Sequence, residues 1–528
     1  MRLLSYSLQA LFKTVLLLLC TVLQAQDTEH LRLSNLPHVY INTFTGSGIY
    51  SKTNYVYARM WYVDEQNQVS FYDSLEIRGR GNSTWNLAKK PYRIKFHQKE
   101  KLLGQGRAKT KKWTLLANHG DKTLIRNAVT SLMGERAGLK FNPAAKFVDL
   151  TLNGAYIGNY QISDAVDVRP HRVNIAEQDL PLNDTSNITG GYLLEADGFK
   201  DFRNGQSGFY SARQGVPIRI HYPDEDDIDH SQYSYIRQYI LAFEEHLYAD
   251  DFADPSTGYR PFVDSESLAN WYICTELSGN IDGFFSTYFY KDAGDKRLYW
   301  GPLWDYDIAY NNDTRGNPTT QKLICDINTG VCRQWFLRMW HDPWFCQLIN
   351  RRYKELREAG IEQHLLNAVD SLGALNAQSA KLNHDKYGIN KKVYNEVVLH
   401  DTYAEYLADL KAFITAHLAF LDTEFPYRTT QVDDMAQEFI LSNNNYYRIQ
   451  SVGANTLFDV TDEKLTEGSL APVSCLEDGS CERQEQCVTI EVYRRIDEAI
   501  DQVVDGITLQ DLMEMQHKKW ETAPPENR

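Results

Sequence analysis

The segment KFVDLTLNGAYIGNYQIS, residues 146–163, constrains the fold more than any other short stretch of the chain. Apolar and polar residues alternate on both sides of Asn153-Gly154, and this dipeptide is favoured in two-residue turns between antiparallel strands. The segment therefore predicts a β-hairpin, and with it an antiparallel sheet in the N-terminal half.

More strands are predicted before this hairpin. Residues 36–64 combine alternation with β-branched and aromatic side chains, and residues 74–85 read as a strand that enters a Gly-rich loop. In KKPYRIKF, residues 89–96, the apolar side chains share one face of a strand while Arg93 and Lys95 share the other. The first part of the chain is therefore predicted to be rich in β-structure.

Helical patterns become dominant further along the chain. Residues 118–139 and 264–279 each contain an aspartate near the start and a glycine at the end, which is the pattern of a capped helix. Residues 286–305 predict a second hairpin, and long helical stretches follow between about residues 340 and 425. This order predicts an α+β protein with two lobes, a β-rich N-terminal half and a helix-rich C-terminal half, and a functional cleft between the lobes.

The N-terminus has the pattern of an export signal. Arg2 and Lys13 precede the apolar run VLLLLCTVL, and LQA before Gln26 suits cleavage. The apolar run is too short for a comfortable membrane span. We therefore expect residues 1–25 to be a signal peptide. The mature protein is then exported to the periplasm, cell surface or medium, with no transmembrane span once the signal is removed.

Removal of the signal peptide leaves an odd number of cysteines. Cys325 with Cys332, and Cys475 with Cys481, are close enough in sequence to close small disulfide loops. The odd count leaves at least one thiol unpaired within the chain.

Two aspartates stand one residue apart in GPLWDYDIAY, residues 301–310. Carboxylates are costly to bury unless they meet a cation or several donors. A calcium loop of the EF-hand type is excluded, because Ala309 and Tyr310 occupy the fifth and sixth positions counted from Asp305. A magnesium ion is easier to satisfy, since one or two carboxylates together with substrate phosphates complete its site. Asp305 and Asp307 are therefore candidate metal ligands.

Asp282 precedes Asp305 by 23 residues, and the second predicted hairpin lies between them. Antiparallel strands return the chain to its start, so the two carboxylates are expected at the same end of the hairpin. One carboxylate can then orient or deprotonate a nucleophile while the other holds a metal, as in phosphoryl transfer. The alternative is structural: Asp282 caps a turn, and Asp305 and Asp307 form ordinary ion pairs or lie at the surface.

A basic segment of the N-terminal half supplies candidate phosphate ligands. The loop RGRGNSTW offers backbone N–H groups, two hydroxyls, the arginines Arg78 and Arg80, and Asn82. Lys90, Arg93 and Lys95 follow it, and a lysine on a strand contacts the nucleotide phosphates in kinases. The alternative is a solvated strand face. The formal net charge of −15 for the whole chain disfavours a nucleic-acid partner, because phosphates would be repelled.

A second carboxylate pair lies in GGYLLEAD. Glu195 and Asp197 alternate along a predicted strand and therefore share a face. Glycosidases place two carboxylates across a cleft, so this pair supports a third hypothesis, a glycoside hydrolase.

Six stretches, taken together, resemble the spore coat protein H (CotH) kinase-like family. They are LPHVYINT, IRGRGNSTWNLAKKPYRIKF, WTLLANHGDKTLIRNAV, LTLNGAYIGNYQISDAVD, GGYLLEAD and GPLWDYDIAYNND, and they occur in the family's order across residues 36–428. The resemblance implies an atypical two-lobed protein-kinase-like fold. It also implies ATP-dependent phosphoryl transfer to a protein hydroxyl, with Mg²⁺ or Mn²⁺ as the metal cofactor.

The resemblance further implies roles for individual residues. Asp305 matches the metal-binding aspartate of kinases, and Asp282 matches the upstream catalytic aspartate. The lysine that contacts the nucleotide should lie in KKPYRIKF, where Lys95 is favoured and Lys90 is the rival.

One position departs from ordinary kinases. They place a metal-binding asparagine five residues after the catalytic aspartate, whereas this chain has Thr287 there. Either Asp307 supplies the missing ligand, or the domain is an inactive pseudokinase. In the second case the protein is a cell-surface or extracellular scaffold that binds partner proteins or glycans.

The C-terminal tail forms a small appendage. Residues 435–475 resemble the opening repeat of a ricin-type β-trefoil lectin, which implies glycan binding through the tail. Residues 488–521 predict an amphipathic helix with an acidic first half.

Overall fold

The computed structural model describes residues 30–104, 109–178, 188–198, 202, 207–224, 226–316, 320–441, 448–450, 457–461 and 464–466, with side chains described up to residue 430. The predicted signal peptide, residues 1–25, and the predicted helical tail, residues 488–521, lie outside the described residues. Strands dominate the first half and helices the second. This arrangement confirms the prediction of a mixed α+β chain with a β-rich N-terminal half and a helix-rich C-terminal half.

Seven strands close into a barrel in the order β1-β2-β3-β4-β5-β7-β6. Their bounds are β1 His38–Thr43, β2 Val56–Val63, β3 Val69–Gly79, β4 Tyr92–Glu100, β5 Thr110–Leu116, β6 Ala145–Leu152 and β7 Ala155–Ser163. The predicted hairpin is β6–β7, and Asn153 and Gly154 adopt φ angles of 49° and 77°, as a type I′ turn requires. A parallel pairing of β1 with β6 completes the barrel and leaves no edge strand in it.

The barrel interior is filled by apolar side chains that alternate along the strands. Ile77, Ile94, Leu115 and Leu150 are fully buried there. Arg93 and Lys95 project from the outer face of β4, as the alternation in KKPYRIKF predicts.

A second, five-stranded antiparallel sheet has the order β12-β11-β8-β10-β9. Its strands are β8 Tyr192–Asp197, β9 Gly208–Tyr210, β10 Pro217–Tyr222, β11 Ser286–Lys291 and β12 Leu298–Trp300. The second predicted hairpin is β11–β12, which begins just after Asp282 and ends just before Asp305. Both aspartates therefore lie at the same end of this hairpin.

Seven α-helices of the described residues pack with these sheets. They are α1 Arg126–Ala137, α2 His230–Leu247, α3 Ser265–Ser278, α4 Arg333–Met339, α5 Pro343–Glu358, α6 Ile361–Tyr387 and α7 Tyr403–Leu441. The side chain of Asp264 caps α3 by accepting from the Ser267 N–H at 2.9 Å, and Gly279 ends the helix with a left-handed φ of 58°. Both ends of this helix are as predicted.

Helix α1 is shorter than predicted at its N-terminal end. Asp121 does not cap the helix directly, because its carboxylate accepts the backbone N–H groups of Thr123 and Arg126 and stabilises a turn ahead of the first helical residue. The predicted glycine stop is present, since Gly138 adopts a φ of 85°.

Four cysteines among the described residues are buried and form no disulfide there. They are Cys274, Cys325, Cys332 and Cys346. The proposed Cys325–Cys332 disulfide is absent, because the Cys325 sulfur accepts from the hydroxyl of Tyr272 at 3.1 Å and the Cys332 sulfur faces the carbonyl of Phe284 at 3.5 Å. The tail cysteines lie outside the described residues.

The chain divides into two compact units, residues 1–436 and 437–528. In the second unit, β13 Arg448–Gln450, β14 Leu457–Thr461 and β15 Lys464–Thr466 form a three-stranded antiparallel sheet. The resemblance of residues 435–475 to a lectin repeat stays a prediction. Of the helices in the described part of the chain, none combines the length and apolar character that crossing a membrane requires.

Candidate functional site

A cleft of about 510 Å³ lies between the loop that follows β3 and the face formed by β8, β10 and β11. Its walls carry mostly charged and hydroxyl-bearing side chains. Asp282, Asp305, Arg80, Asn82 and Arg93, all predicted site residues, line this one cleft.

Asp282 enters the cleft from the turn after α3. Gly279 ends the helix, and the turn continues through hydrogen bonds from the Gly283 N–H to the Asn280 carbonyl and from the Phe285 N–H to the Asp282 carbonyl, both at 2.9 Å. Within this turn the Asp282 Oδ1 atom is buried without a hydrogen-bond partner among the described residues. Asp282 therefore presents an unused acceptor.

Asp305 reaches the same cleft from the loop after β12. Its φ is 69°, a left-handed conformation that is uncommon for residues other than glycine and concentrates at functional sites. The Asn280 side chain donates to the Asp305 carbonyl at 3.3 Å, and the Tyr306 N–H donates to the Asn127 side chain of α1 at 2.8 Å. These contacts hold the strained residue beside the Asp282 turn.

Asp307 lies deeper, beside a small cavity of about 30 Å³. Asp282 and Asp305 border the same cavity, together with Ser83 and Thr84 of the loop after β3. Asp307 is 8% exposed. Three carboxylates therefore border one cavity, which is large enough for a water molecule or an ion.

The protein raises the pKa of all three carboxyl groups. For Asp307 the cause is burial, followed by the negative charges of Asp305 and Asp121. Asp305 is exposed to the cleft, where desolvation raises its pKa and the Arg80 charge lowers it. For Asp282 burial raises the pKa and Arg315 lowers it. A cation placed among these groups would offset their mutual repulsion.

Three arginines form the opposite wall of the cleft. Arg78 of β3 stands directly across the ladder from Arg93 of β4, and Arg80 lies over the Trp304 ring at 5.4 Å. The Nε atoms of all three arginines are buried without a hydrogen-bond partner among the described residues. A buried guanidinium N–H without a hydrogen-bond partner is unfavourable by itself, so this wall is suited to an anion.

The Gly-rich loop is shaped by its glycines. A Cβ at Gly79 would lie 2.2 Å from the Trp85 ring, and a Cβ at Gly81, whose φ is 83°, would lie 2.3 Å from the Thr84 hydroxyl. Lys52 donates to the Gly81 carbonyl at 3.0 Å and joins the basic wall. Asn82 precedes a short 3₁₀ turn without capping it, so its side chain is free of that structural role.

The two lysines predicted to contact a nucleotide lie elsewhere. Lys95 pairs with Glu76 at 2.8 Å on the outer face of the barrel, and its side chain is 39% exposed. Lys90 donates to the Trp85 and Leu87 carbonyls at 2.7 and 3.3 Å and so supports the Gly-rich loop from behind. Neither lysine lines the cleft, whereas Arg93 of the same segment does.

Glu195 and Asp197 share a face, as their alternation predicts, and both line the cleft. Each carboxylate already has a basic partner on β10: the His221 Nε2 lies 2.6 Å from the Glu195 Oε2, and the Arg219 Nη1 lies 3.6 Å from the Asp197 Oδ2. Both carboxylates of the glycosidase hypothesis therefore lie in the cleft. Each of them is already paired with a basic side chain of β10.

The residues fit a divalent cation that completes its coordination with phosphate or water. No group of three His, Cys, Asp or Glu side chains within the described ranges is close enough to hold a metal unaided. Asp305 and Asp307 would contribute carboxylate oxygens, and the unpaired acceptor of Asp282 lies at the same cavity. Mg²⁺ bound with substrate phosphates needs no more than one or two carboxylates.

Two groups were missed in the sequence as site residues. Lys52 and Arg315 bring positive charge to the cleft or to its carboxylates, and no local motif marks either residue. Arg78 is one of the two arginines of the predicted phosphate loop, and alternation in SLEIRGRG places it on the same face as Arg80.

The CotH kinase protein family matches residues 77–421 of this chain. The matched region begins at the arginine wall and extends beyond both aspartates of the cleft. No curated protein matches the chain. Because the family match covers well over half of the sequence and contains both charged walls of the cleft, the chain belongs to the CotH kinase family.

Proposed function

We propose that the protein is an exported kinase-like phosphotransferase that uses ATP and Mg²⁺ or Mn²⁺ to phosphorylate a protein hydroxyl. The observation that carries this proposal is the opposition, across one cleft, of Arg78, Arg80 and Arg93 to Asp282 and Asp305. Phosphoryl transfer consists largely of positioning and charge stabilisation, and these two walls supply both signs of charge.

The arginine wall is assigned to the nucleotide phosphates. A guanidinium group offers a planar fork of N–H donors that matches two phosphate oxygens at once. The buried Nε atoms of Arg78, Arg80 and Arg93 have no partner among the described residues, so a phosphate would satisfy donors that the protein leaves unpaired. We therefore assign to Arg93 the contact with the nucleotide phosphates that the sequence predicted for Lys95 or Lys90.

Asp305 and Asp307 are assigned to the metal. Bound there, the cation would neutralise phosphate charge and help to orient the transferred group. The left-handed φ of Asp305 supports this role, because strain of this kind persists where the surrounding contacts enforce it for function.

Asp282 is assigned to the acceptor hydroxyl. Its unpartnered Oδ1 can accept the hydroxyl proton as the acceptor oxygen bonds to phosphorus and the bond to the ADP leaving group breaks. In the two-lobed kinase-like arrangement that we propose, the barrel corresponds to the N-terminal lobe. The five-stranded sheet and the helices then correspond to the C-terminal lobe.

The export signal predicted at residues 1–25 supports action outside the cytoplasm, on a protein substrate or a cell-surface partner. An assay of the secreted fraction and of the periplasm with an antibody to residues 207–441 would locate the mature chain. Retention of the full-length chain in the cytoplasm would contradict export.

The central experiment measures nucleotide binding and autophosphorylation with Mg²⁺ and with Mn²⁺. The wild type is compared with Asp305→Asn and Asp282→Asn, and Arg297→Ala serves as a control because Arg297 forms exposed ion pairs on the β11–β12 hairpin. We expect Asp305→Asn to lose metal-dependent binding and Asp282→Asn to bind ATP but to transfer phosphate only at a small residual rate. A wild type that neither binds ATP nor transfers phosphate with either metal refutes the function.

A second candidate is an inactive scaffold on the same fold. It is favoured by one observation: neither Lys90 nor Lys95 reaches the cleft. Glycan binding through the tail is tested on a glycan array with the full chain and with a chain ending at residue 436. The truncation should not end at Pro426, because Arg428 pairs with Glu424 at 2.7 Å and with Asp326. Nucleotide binding without transfer, together with glycan binding that the truncation removes, would establish this alternative.

A further inference from the structure

We propose that Arg315 is a positioning residue for Asp282: it fixes one carboxylate oxygen and leaves the other for the acceptor hydroxyl. This inference rests on the proposed phosphotransferase function and names a residue that neither the sequence motifs nor the family match assigns. Arg315 lies in the short 3₁₀ turn Thr314–Gly316, ten residues after Asp305.

The contact between the two residues is direct. The Arg315 Nη2 lies 3.2 Å from the Asp282 Oδ2, while the Asp282 Oδ1 is buried without a partner among the described residues. The two oxygens of this carboxylate are therefore distinguished, one bound to a fixed cation and one unused.

The Arg315 side chain is also fixed by contacts other than the one with Asp282. The buried Asp313 carboxylate accepts the Arg315 Nε at 3.0 and 3.1 Å, the Nη2 at 2.9 Å and the backbone N–H at 2.8 Å. The guanidinium also lies over the Tyr394 ring at 5.4 Å, and the Thr314 N–H donates to the Asn395 carbonyl at 2.9 Å. A bidentate, stacked arginine is far more rigid than an ordinary surface arginine.

A positively charged partner favours the ionised form of Asp282. Asp282 borders the same small cavity as Asp305 and Asp307. Burial, and to a smaller extent the Asp313 charge, disfavour its ionised form. Arg315 opposes this effect, since it lowers the pKa of Asp282 against the rise that burial produces. Without Arg315 the side chain would lose both its favourable charge environment and the contact that fixes its rotation.

The ion pair is not explained by stability. The side chain of Arg315 is 42% exposed and that of Asp282 is 25% exposed, and partly exposed ion pairs contribute little to folding. The same geometry at a catalytic carboxylate does affect the rate, because misplacement of a reacting group by about 1 Å can cost about 100-fold in rate.

The test compares Arg315→Ala and Arg315→Lys with the wild type and with Arg297→Ala as the matched exposed-arginine control. We expect Arg315→Ala to lower kcat for phosphate transfer by roughly 10- to 100-fold while the KM for ATP stays within about twofold, because the nucleotide contacts lie on the arginine wall. Arg315→Lys should recover part of kcat, and Arg297→Ala should behave as wild type.

A double-mutant comparison shows whether the effect acts through Asp282. In the Asp282→Asn background, Arg315→Ala should lower kcat no further, since residues that act as one unit are not additive. Equal fold losses in both backgrounds, or a kcat at the wild-type level in Arg315→Ala, overturn the inference while the function stands. A wild type without transfer overturns the function and this role together.

Discussion

Arg78 on β3 and Arg93 on β4 stand directly opposite each other across an antiparallel ladder, and both side chains line the cleft. Like charges in directly opposed positions destabilise a sheet. This unfavourable pairing would be relieved by an anion between the two guanidinium groups, the position that we propose for the nucleotide phosphates.

The first prediction concerns this pair. Arg93→Ala should weaken ATP binding by roughly tenfold or more, since a hydrogen bond to a charged group contributes about 1.5–3 kcal/mol. Lys95→Ala, on the same strand face, should leave the affinity unchanged because Lys95 pairs with Glu76 outside the cleft. Titration calorimetry with ATP and Mg²⁺ measures both variants, and a larger loss for Lys95→Ala would reverse the assignment.

The second prediction separates stability from function at Asp305. Asp305→Gly should raise the free energy of unfolding by about 1 kcal/mol, because glycine adopts a φ of 69° without strain and the substitution removes a charge from the carboxylate cluster. Metal-dependent ATP binding should fall by at least about 100-fold in this variant. Urea unfolding and calorimetry provide the two readings, and a destabilised Asp305→Gly protein would show that the loop is not strained at this residue.

The third prediction concerns the Gly-rich loop. Gly79→Ala should destabilise the barrel by about 1–3 kcal/mol, because the new methyl group meets the Trp85 ring and forces it to move. Lys90 stacks on that ring at 4.8 Å, so its support of the loop is lost as well. Gly120→Ala is the control, because Gly120 also lacks a left-handed φ and its new methyl group would meet only the Tyr394 Cβ at 3.7 Å, an ordinary van der Waals contact. Equal losses of stability in the two variants would exclude the Trp85 contact as the cause.

The fourth prediction is a pH dependence that originates in the barrel. His38 is fully buried, its Nε2 lies 2.8 Å from the Thr151 hydroxyl, and its Nδ1 has no partner among the described residues. Burial, with a smaller contribution from the neighbouring His30, lowers its pKa to about 4. The unfolded chain therefore binds a proton more readily, so the stability due to this group is fully present above pH 6.5 and is lost as the pH falls toward 4.

The measurement is urea unfolding of the wild type and His38→Gln at several pH values. Between about pH 8 and pH 5 the wild type should lose about 2 kcal/mol more than the variant, whose amide does not titrate. Parallel stability curves for the two proteins would refute the assignment.

Much of the fold could be predicted because its signals are local. Asn153-Gly154 defined one hairpin, and the helix that ends at Gly279 was recognised from its two ends. Asp282 and Asp305 could be paired from the sequence because a hairpin returns the chain to its start, a consequence of antiparallel geometry that needs no tertiary information.

The remaining site residues could not be predicted, because their roles depend on tertiary contacts between segments that are distant in sequence. Arg93 and Lys95 share a strand face, so alternation alone could not show that the cleft reaches the first residue and ends before the second. Arg315 gave no signal, because its importance comes from the carboxylates of Asp282 and Asp313. The helix start at Arg126 was also missed, because the Asp121 carboxylate accepts hydrogen bonds within a turn that precedes the helix.

The four buried thiols bear on how long a molecule survives once it has left the cytoplasm as we propose. Each is shielded while the chain is folded, and burial raises the pKa of Cys274 and Cys332 to about 12, which suppresses the reactive thiolate. An unfolded chain has no such shield, and its cysteines can be oxidised or joined in pairs that the native core does not accommodate. In an oxidising medium unfolding then becomes irreversible, because the oxidised chain cannot refold. The lifetime of the protein is set by its unfolding rate rather than by its equilibrium stability.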